Sequence, residues 1–130
     1  MATSPQFAAT VNVGSIALAG FDTSLTAPST TVTVVTGGSN GTKVEEIVLQ
    51  GTGTTVAGVC NIFLYDGSTY HLYDQILITA VTSSTTATAF RANRQYTNLL
   101  VKSGWTLRAT HTVTGNDTNK LSISATGGDI

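Results

Sequence analysis

From Thr31 onward, short runs of alternating or continuous apolar residues are separated by clusters of Gly, Ser, Asn and Asp. The dominant period is two, and no stretch carries the 3.6-residue period of an amphipathic helix, so the pattern reads as strands. Thr31–Thr36 reads Thr-Val-Thr-Val-Val-Thr and is closed by Gly37-Gly38-Ser39-Asn40-Gly41. Lys43–Gln50, Gly58–Tyr65, Tyr70–Ala80, Ala87–Ala92, Tyr96–Val101, Trp105–Val113 and Asn119–Thr126 follow, with turn formers such as Gly51-Thr52-Gly53, Asp66-Gly67 and Lys102-Ser103-Gly104 between them. Eight strands with regular turns pack as a sandwich or a barrel. The expectation is an all-β chain folded as an eight-stranded, jelly-roll-like β-sandwich over residues 31–130.

The turn at Asp66-Gly67 fixes a local register. With a two- or four-residue loop, odd positions before it pair with even positions after it. Val59, Asn61, Phe63, Tyr65, Tyr70, Leu72, Asp74, Ile76 and Ile78 are then expected on one face, and Cys60, Ile62, Leu64, His71, Tyr73, Gln75 and Leu77 on the other. Both faces are substantially apolar, whereas a solitary sandwich buries one face of each sheet. The second face calls for a cover, either an N-terminal arm or another subunit. Later strands read as one-sided: Trp105, Leu107 and Ala109 alternate with Thr106, Arg108 and Thr110, and Leu121, Ile123 and Ala125 with Ser122 and Ser124.

Residues 1–30 differ from the rest. They hold both prolines, Pro5 and Pro28, and no Lys or Arg. Two readings fit them: an extended N-terminal arm with one short strand, lying on a neighbouring subunit, or an ordinary edge strand of the same domain.

Composition sharpens the assembly reading. Charged residues make up 10 % of the 130-residue chain, against about 25 % in a typical soluble domain, and the net charge is −1. Such a surface offers no footprint for nucleic acid or an anionic membrane, and little repulsion keeps copies apart. No apolar run is long enough to span a membrane as a helix, and the start lacks a basic region followed by an apolar one, so synthesis in a cytoplasm is expected. The single cysteine excludes an intrachain disulfide.

Candidate chemistry is sparse. His71 and His111 lie on separate predicted strands, without His-x-His or Cys-x-x-Cys spacing, so a zinc site has no support. His71 reads as a packed or interface residue and His111 as surface. Cys60, mid-strand, reads as a small buried residue rather than a nucleophile. Glu45 and Glu46 are adjacent, so on a regular strand they point to opposite faces and form no acid/base pair. Arg91, Arg94, Lys102 and Arg108, interleaved with Phe90 and Tyr96, are too few for phosphate-driven affinity but suit a contact between subunits. No catalytic, metal or cofactor-binding residue is assigned, and the chain is not expected to be an enzyme.

Several stretches resemble small structural proteins of tailed bacteriophages: Thr42–Ile47, Ala57–Gly67, Tyr73-Asp74-Gln75-Ile76, Ser103–Ala109 and the tail Gly127-Gly128-Asp129. The likeness covers about residues 30–130 and rests on turn-and-strand features. It implies a virion component with a jelly-roll-like fold and no cofactor. Many such proteins are decoration (cement) proteins that sit as homotrimers on the capsid surface, with the major capsid protein and copies of themselves as partners. On that reading the contact residues are Phe7, Val11 and Val13 of the arm together with Tyr70, Tyr73, Arg91 and Arg94. The alternative is a phage tail or spike domain, or a lectin-like module, stacking sugars on Tyr70, Tyr73 and Trp105 with Asp66, Asn61 or Asn93 supplying hydrogen bonds.

Overall fold

A computed structural model describes residues 10–116 and 120–130, with side chains from Gly14 onward. It contains eight strands: β1 (Thr10–Ala17), β2 (Val32–Thr36), β3 (Thr42–Gly51), β4 (Gly58–Tyr65), β5 (Tyr70–Ile78), β6 (Arg91–Val101), β7 (Thr106–His111) and β8 (Leu121–Asp129). They form two four-stranded sheets, ordered β1-β8-β3-β6 (sheet A) and β2-β7-β4-β5 (sheet B).

The pairing explains the architecture. β1 pairs with β8, β2 with β7, β3 with β6 and β4 with β5, all antiparallel. The chain is one long antiparallel ribbon, folded back at the β4–β5 hairpin and wrapped so that successive pairs fall in alternate sheets. This is the jelly-roll solution, in which β4–β5 is the one connection that stays within a sheet. Wrapping then brings β3 beside β8 and β4 beside β7, completing each sheet.

The inner faces carry the expected one-sided alternation. Ile47, Leu49, Leu99, Val101, Ile123 and Ala125 of sheet A pack toward Ile62, Leu107 and Ala109 of sheet B, all fully buried. On β8 the outward neighbours are Ser122, Ser124 and Thr126, which wet a solvent face without charge.

Three sequence expectations change. Eight strands are present, but not the same eight. Ala87–Ala92 and Tyr96–Val101 were expected as two strands, and Arg91–Val101 is one continuous strand paired along β3. The eighth strand comes from residues 1–30: Thr10–Ala17 is the edge of sheet A, paired with β8, and residues 1–9 lie outside the described residues. From Ala17 the chain crosses to sheet B, where Gly20 and Asp22 bond the His111 backbone. His111, expected on the surface, is fully buried because this crossing lays Phe21 against its ring, with centroids 5.9 Å apart.

Candidate interaction surface

The β4–β5 hairpin closes with a four-residue turn, Asp66–Thr69, since Tyr65 pairs with Tyr70. Asp66 builds it. Its Oδ1 accepts from the Thr69 and Ser68 amides at 2.8 and 2.9 Å, and Oδ2 lies 3.2 Å from His71 Nε2. The Thr69 amide first, then the Ser68 amide and His71, hold this carboxyl below the usual carboxylate range.

The expected register holds only for the first turn of the hairpin. Phe63 pairs with Leu72, but Ile62 pairs with Asp74, so Tyr73 is an extra residue and a β-bulge. A bulge flips the alternation beyond it. Asp74, Ile76 and Ile78 therefore join Cys60 and Ile62 on the core side, while Gln75 and Leu77 join Asn61 and Val59 outside. This corrects the face assignment made from the sequence.

The apolar residues left outside are mostly covered within the chain. Phe63 faces away from the core yet is 0 % exposed. Tyr70 stands edge-on to it, with centroids 5.7 Å apart, and Tyr65 stacks on Tyr70 at 4.1 Å. The Arg108 guanidinium lies 4.8 Å from the Tyr65 ring centroid. Thr31 Oγ1 accepts from Arg108 Nη1 at 3.2 Å and lies 3.4 Å from the Tyr70 hydroxyl. Sheet B thus carries a thin second core on its outer side, extending over Asn61 and Thr110, which are also fully buried.

The cover stops short of the sheet edge. β5 is the terminal strand of sheet B, and Leu72, Tyr73 and Leu77 remain 39, 42 and 66 % exposed. Across the open side of the sandwich, β5 meets β6 through a polar seam. Asp74 Oδ2 accepts from the Tyr96 hydroxyl at 2.8 Å and lies 3.5 Å from Arg94 Nε, while Arg94 Nη2 donates to the Gln75 carbonyl at 3.0 Å. Tyr73 packs against Tyr96 with ring centroids 5.8 Å apart. Burial first, then the Asp74 carboxylate, pushes the Tyr96 phenol above its usual range, keeping it a donor.

Of the residues singled out from sequence, Tyr73 and Arg94 meet at this seam. Arg91 is exposed on β6 with Nη1 donating to Gln50 Oε1 at 3.2 Å. Tyr70 is half-buried in the covering layer. Phe7 lies outside the described residues. Val11 and Val13 belong to β1, opposite Gly128 and Thr126, with side chains outside the description. Leu72 and Leu77 were not singled out; the bulge turns Leu77 to the outer face, away from Cys60 and Ile62, with which the unbulged register grouped it.

The residues expected to contact sugar make contacts within the chain, and His71 links two of them, Trp105 and Asp66. Asn61 is buried and its Oδ1 accepts from Gln75 Nε2 at 2.9 Å. Trp105 stacks on His71, with Lys102 over its ring. Cys60 and His111 are cross-strand partners, but both are fully buried, and burial followed by Asp74 raises the thiol pKa, keeping it protonated. No group of three or more His, Cys, Asp or Glu suited to a metal occurs among the described residues.

A second bulge lies in sheet A. Val44 pairs with Leu99 and Gly127, and Glu46 with Gln95 and Thr126, so Glu45 is extra on β3 while Tyr96, Thr97 and Asn98 oppose it on β6. With Val44 and Ile47 both buried, Glu45 and Glu46 share the outer face, contrary to the expectation of opposite faces. They line a solvent-open depression of about 590 Å³ with Gln95, Tyr96, Thr97 and Thr126. Gly127 permits the close approach of β8 there, since a Cβ would lie 2.0 Å from the Lys43 carbonyl oxygen. Comparisons with protein-family models, curated proteins and solved structures gave no match.

Proposed function

We propose that this chain is a structural subunit that acts by assembly, as a decoration (cement) protein on the head of a tailed bacteriophage, contacting the major capsid protein and copies of itself. The observation that carries the reading is the apolar row Leu72, Tyr73 and Leu77 on the terminal strand of sheet B. Asp74 and the bulge at Tyr73 blunt the backbone edge of β5 against strand addition, so the contact is one of side chains, through the apolar groups that this edge leaves uncovered. Covering a leucine that is largely exposed contributes roughly 1.5 kcal/mol or more, and repetition over a lattice multiplies a weak contact into avidity. The flanking Tyr and Arg side chains at the seam are types enriched at such interfaces. Jelly rolls recur in capsid and lectin domains, which supports the virion setting by analogy of fold.

The test has two readouts: the mass of the purified protein in solution, and co-sedimentation with empty heads of a tailed phage encoding a closely similar chain. Expected is an oligomer, a homotrimer on the decoration reading, that saturates the heads; Leu72→Ser/Leu77→Ser should lose both properties while keeping the β spectrum. A monomer at high micromolar concentration that leaves heads undecorated would overturn the proposal.

A further inference from the structure

The depression on the outer face of sheet A has a chemistry separate from the β5 edge. Register aligns three polar side chains across neighbouring strands, Gln95 on β6, Glu46 on β3 and Thr126 on β8. Cross-strand partners of this kind stand about 5 Å apart at Cβ, so a carboxamide, a carboxylate and a hydroxyl form a continuous polar row. The bulge adds Glu45 and Thr97 to the same basin. Glu46 is oriented by Asn93, whose Nδ2 donates to Oε2 at 2.9 Å, and Glu45 is only loosely paired with Lys43 at 4.0 Å.

We propose that this basin binds neutral carbohydrate. A basic group needs acceptors alone, and the basin's two carboxylates belong to no group of three or more metal-ligating side chains among the described residues. Here two carboxylate acceptors alternate with a carboxamide and two hydroxyls, each able to donate and accept. That mixture matches a ligand whose every hydroxyl both donates and accepts. Two carboxylates and no unpaired cation in the lining set the specificity: neutral sugars are accepted and acidic ones, such as uronates, repelled. Bulges commonly re-aim side chains at binding sites, and without the extra residue Glu45 and Glu46 would not share a face.

The polar row lies on the opposite sheet from the proposed assembly surface, and the two regions meet at Tyr96, which lines the basin and packs against Tyr73. The experiment uses the full chain on an array of neutral and acidic glycans. The best neutral oligosaccharide is then titrated while backbone amide shifts are followed by NMR. Expected are neutral hits, shifts confined to residues around Glu45–Ile47, Gln95–Thr97 and Thr126, and about ten-fold or greater weakening in Glu46→Gln and in Thr126→Val. Both variants should melt within a few degrees of wild type, which separates lost contacts from lost fold. An array without hits, hits confined to acidic glycans, shifts centred on the β5 edge, or affinity unchanged in both variants would each overturn the assignment. So would tighter binding of an arginine-rich peptide than of any sugar.

Discussion

The outer faces of the two sheets solve the same problem differently. Sheet A turns Lys43, Glu46, Val48 and Gln50 outward along β3, a thin and mainly polar skin over a single core. Sheet B turns out Phe63, Tyr65 and Tyr70, then hides them beneath its own aromatic and arginine layer. An apolar residue on an outward strand position therefore does not by itself signal a partner. The part the covering layer fails to reach, Leu72, Tyr73 and Leu77, is the part on which the proposed assembly rests.

The sharpest test of that contrast is truncation on each outer face. Phe63→Ala should cost about 3–5 kcal/mol, the value for a core aromatic, although the residue points away from the main core. Val48→Ala, outward and half-buried on sheet A, should cost less than about 1 kcal/mol. Urea denaturation of the two variants decides it; equal effects would mean that sheet B has no second core.

Next in size is the corner where the two sheets approach, β1 against β2. Gly14 leaves no room, since a Cβ there would sit 1.8 Å from the Val34 carbonyl oxygen. Gly14→Ala should cost about 1–3 kcal/mol as overpacking. It should also speed hydrogen exchange at the Leu18 amide, which bonds the Leu121 carbonyl at 2.9 Å. Unchanged exchange would show that β1 tolerates displacement from sheet B.

Arg108→Ala probes the covering layer itself. It removes the cation from Tyr65 and the donors to Thr31 and Thr106, for a loss of about 1–2 kcal/mol. Arg108→Lys should recover little, because an ammonium cannot reproduce the planar fork.

Regular alternation made much of this legible in advance. Leu107 and Ala109, and Leu121, Ile123 and Ala125, announced their buried faces because nothing interrupts their strands. Where alternation breaks, the sequence is silent. Nothing in Lys43–Ile47 or in Leu72-Tyr73-Asp74 marks an inserted residue, so both bulges were invisible, and with them the shared face of Glu45 and Glu46 and the outward turn of Leu77. The polar run Asn93-Arg94-Gln95 resembled a break between strands because β6 is an edge strand whose side chains meet the seam and the basin rather than a core. His111 sits among threonines, and only the crossing of Gly20–Asp22 buries it. β1 carries few large apolar residues, since pairing with β8 places it more than packing does.

The hairpin that ends at the exposed row should weaken in acid. Amide donors and His71 lower the Asp66 pKa in the folded chain below the ordinary 3.8. A carboxyl shifted downward on folding contributes its full stability above the unfolded value and loses it as pH falls through the folded one. Asp22, lowered first by the Ser24 amide and then by the Ser29 amide, acts in the same direction. Asp66→Asn should therefore lower Tm at neutral pH, with the gap to wild type closing below pH 3.8. A gap that persists undiminished as acid protonates the carboxyl would place the effect in turn geometry rather than charge.

The smallest effect on folding should come from the most exposed of these side chains, and there the comparison becomes decisive. Leu77 is 66 % exposed and lies beyond the reach of the Tyr65–Tyr70–Arg108 layer. Leu77→Ser removes little buried surface from the isolated subunit, so its folding stability should stay within about 0.5 kcal/mol of wild type. Phe63, also outward on sheet B, should be expensive to truncate and Leu77 nearly free, and on the assembly reading proposed above the leucine serves an external contact. Denaturation measured below and above the association concentration separates the two cases. Equal stability in dilute solution, with lower stability than wild type only where wild type associates, is the expected pattern. A loss in dilute solution as large as that of Phe63→Ala would mean that Leu77 already belongs to the subunit's own packing.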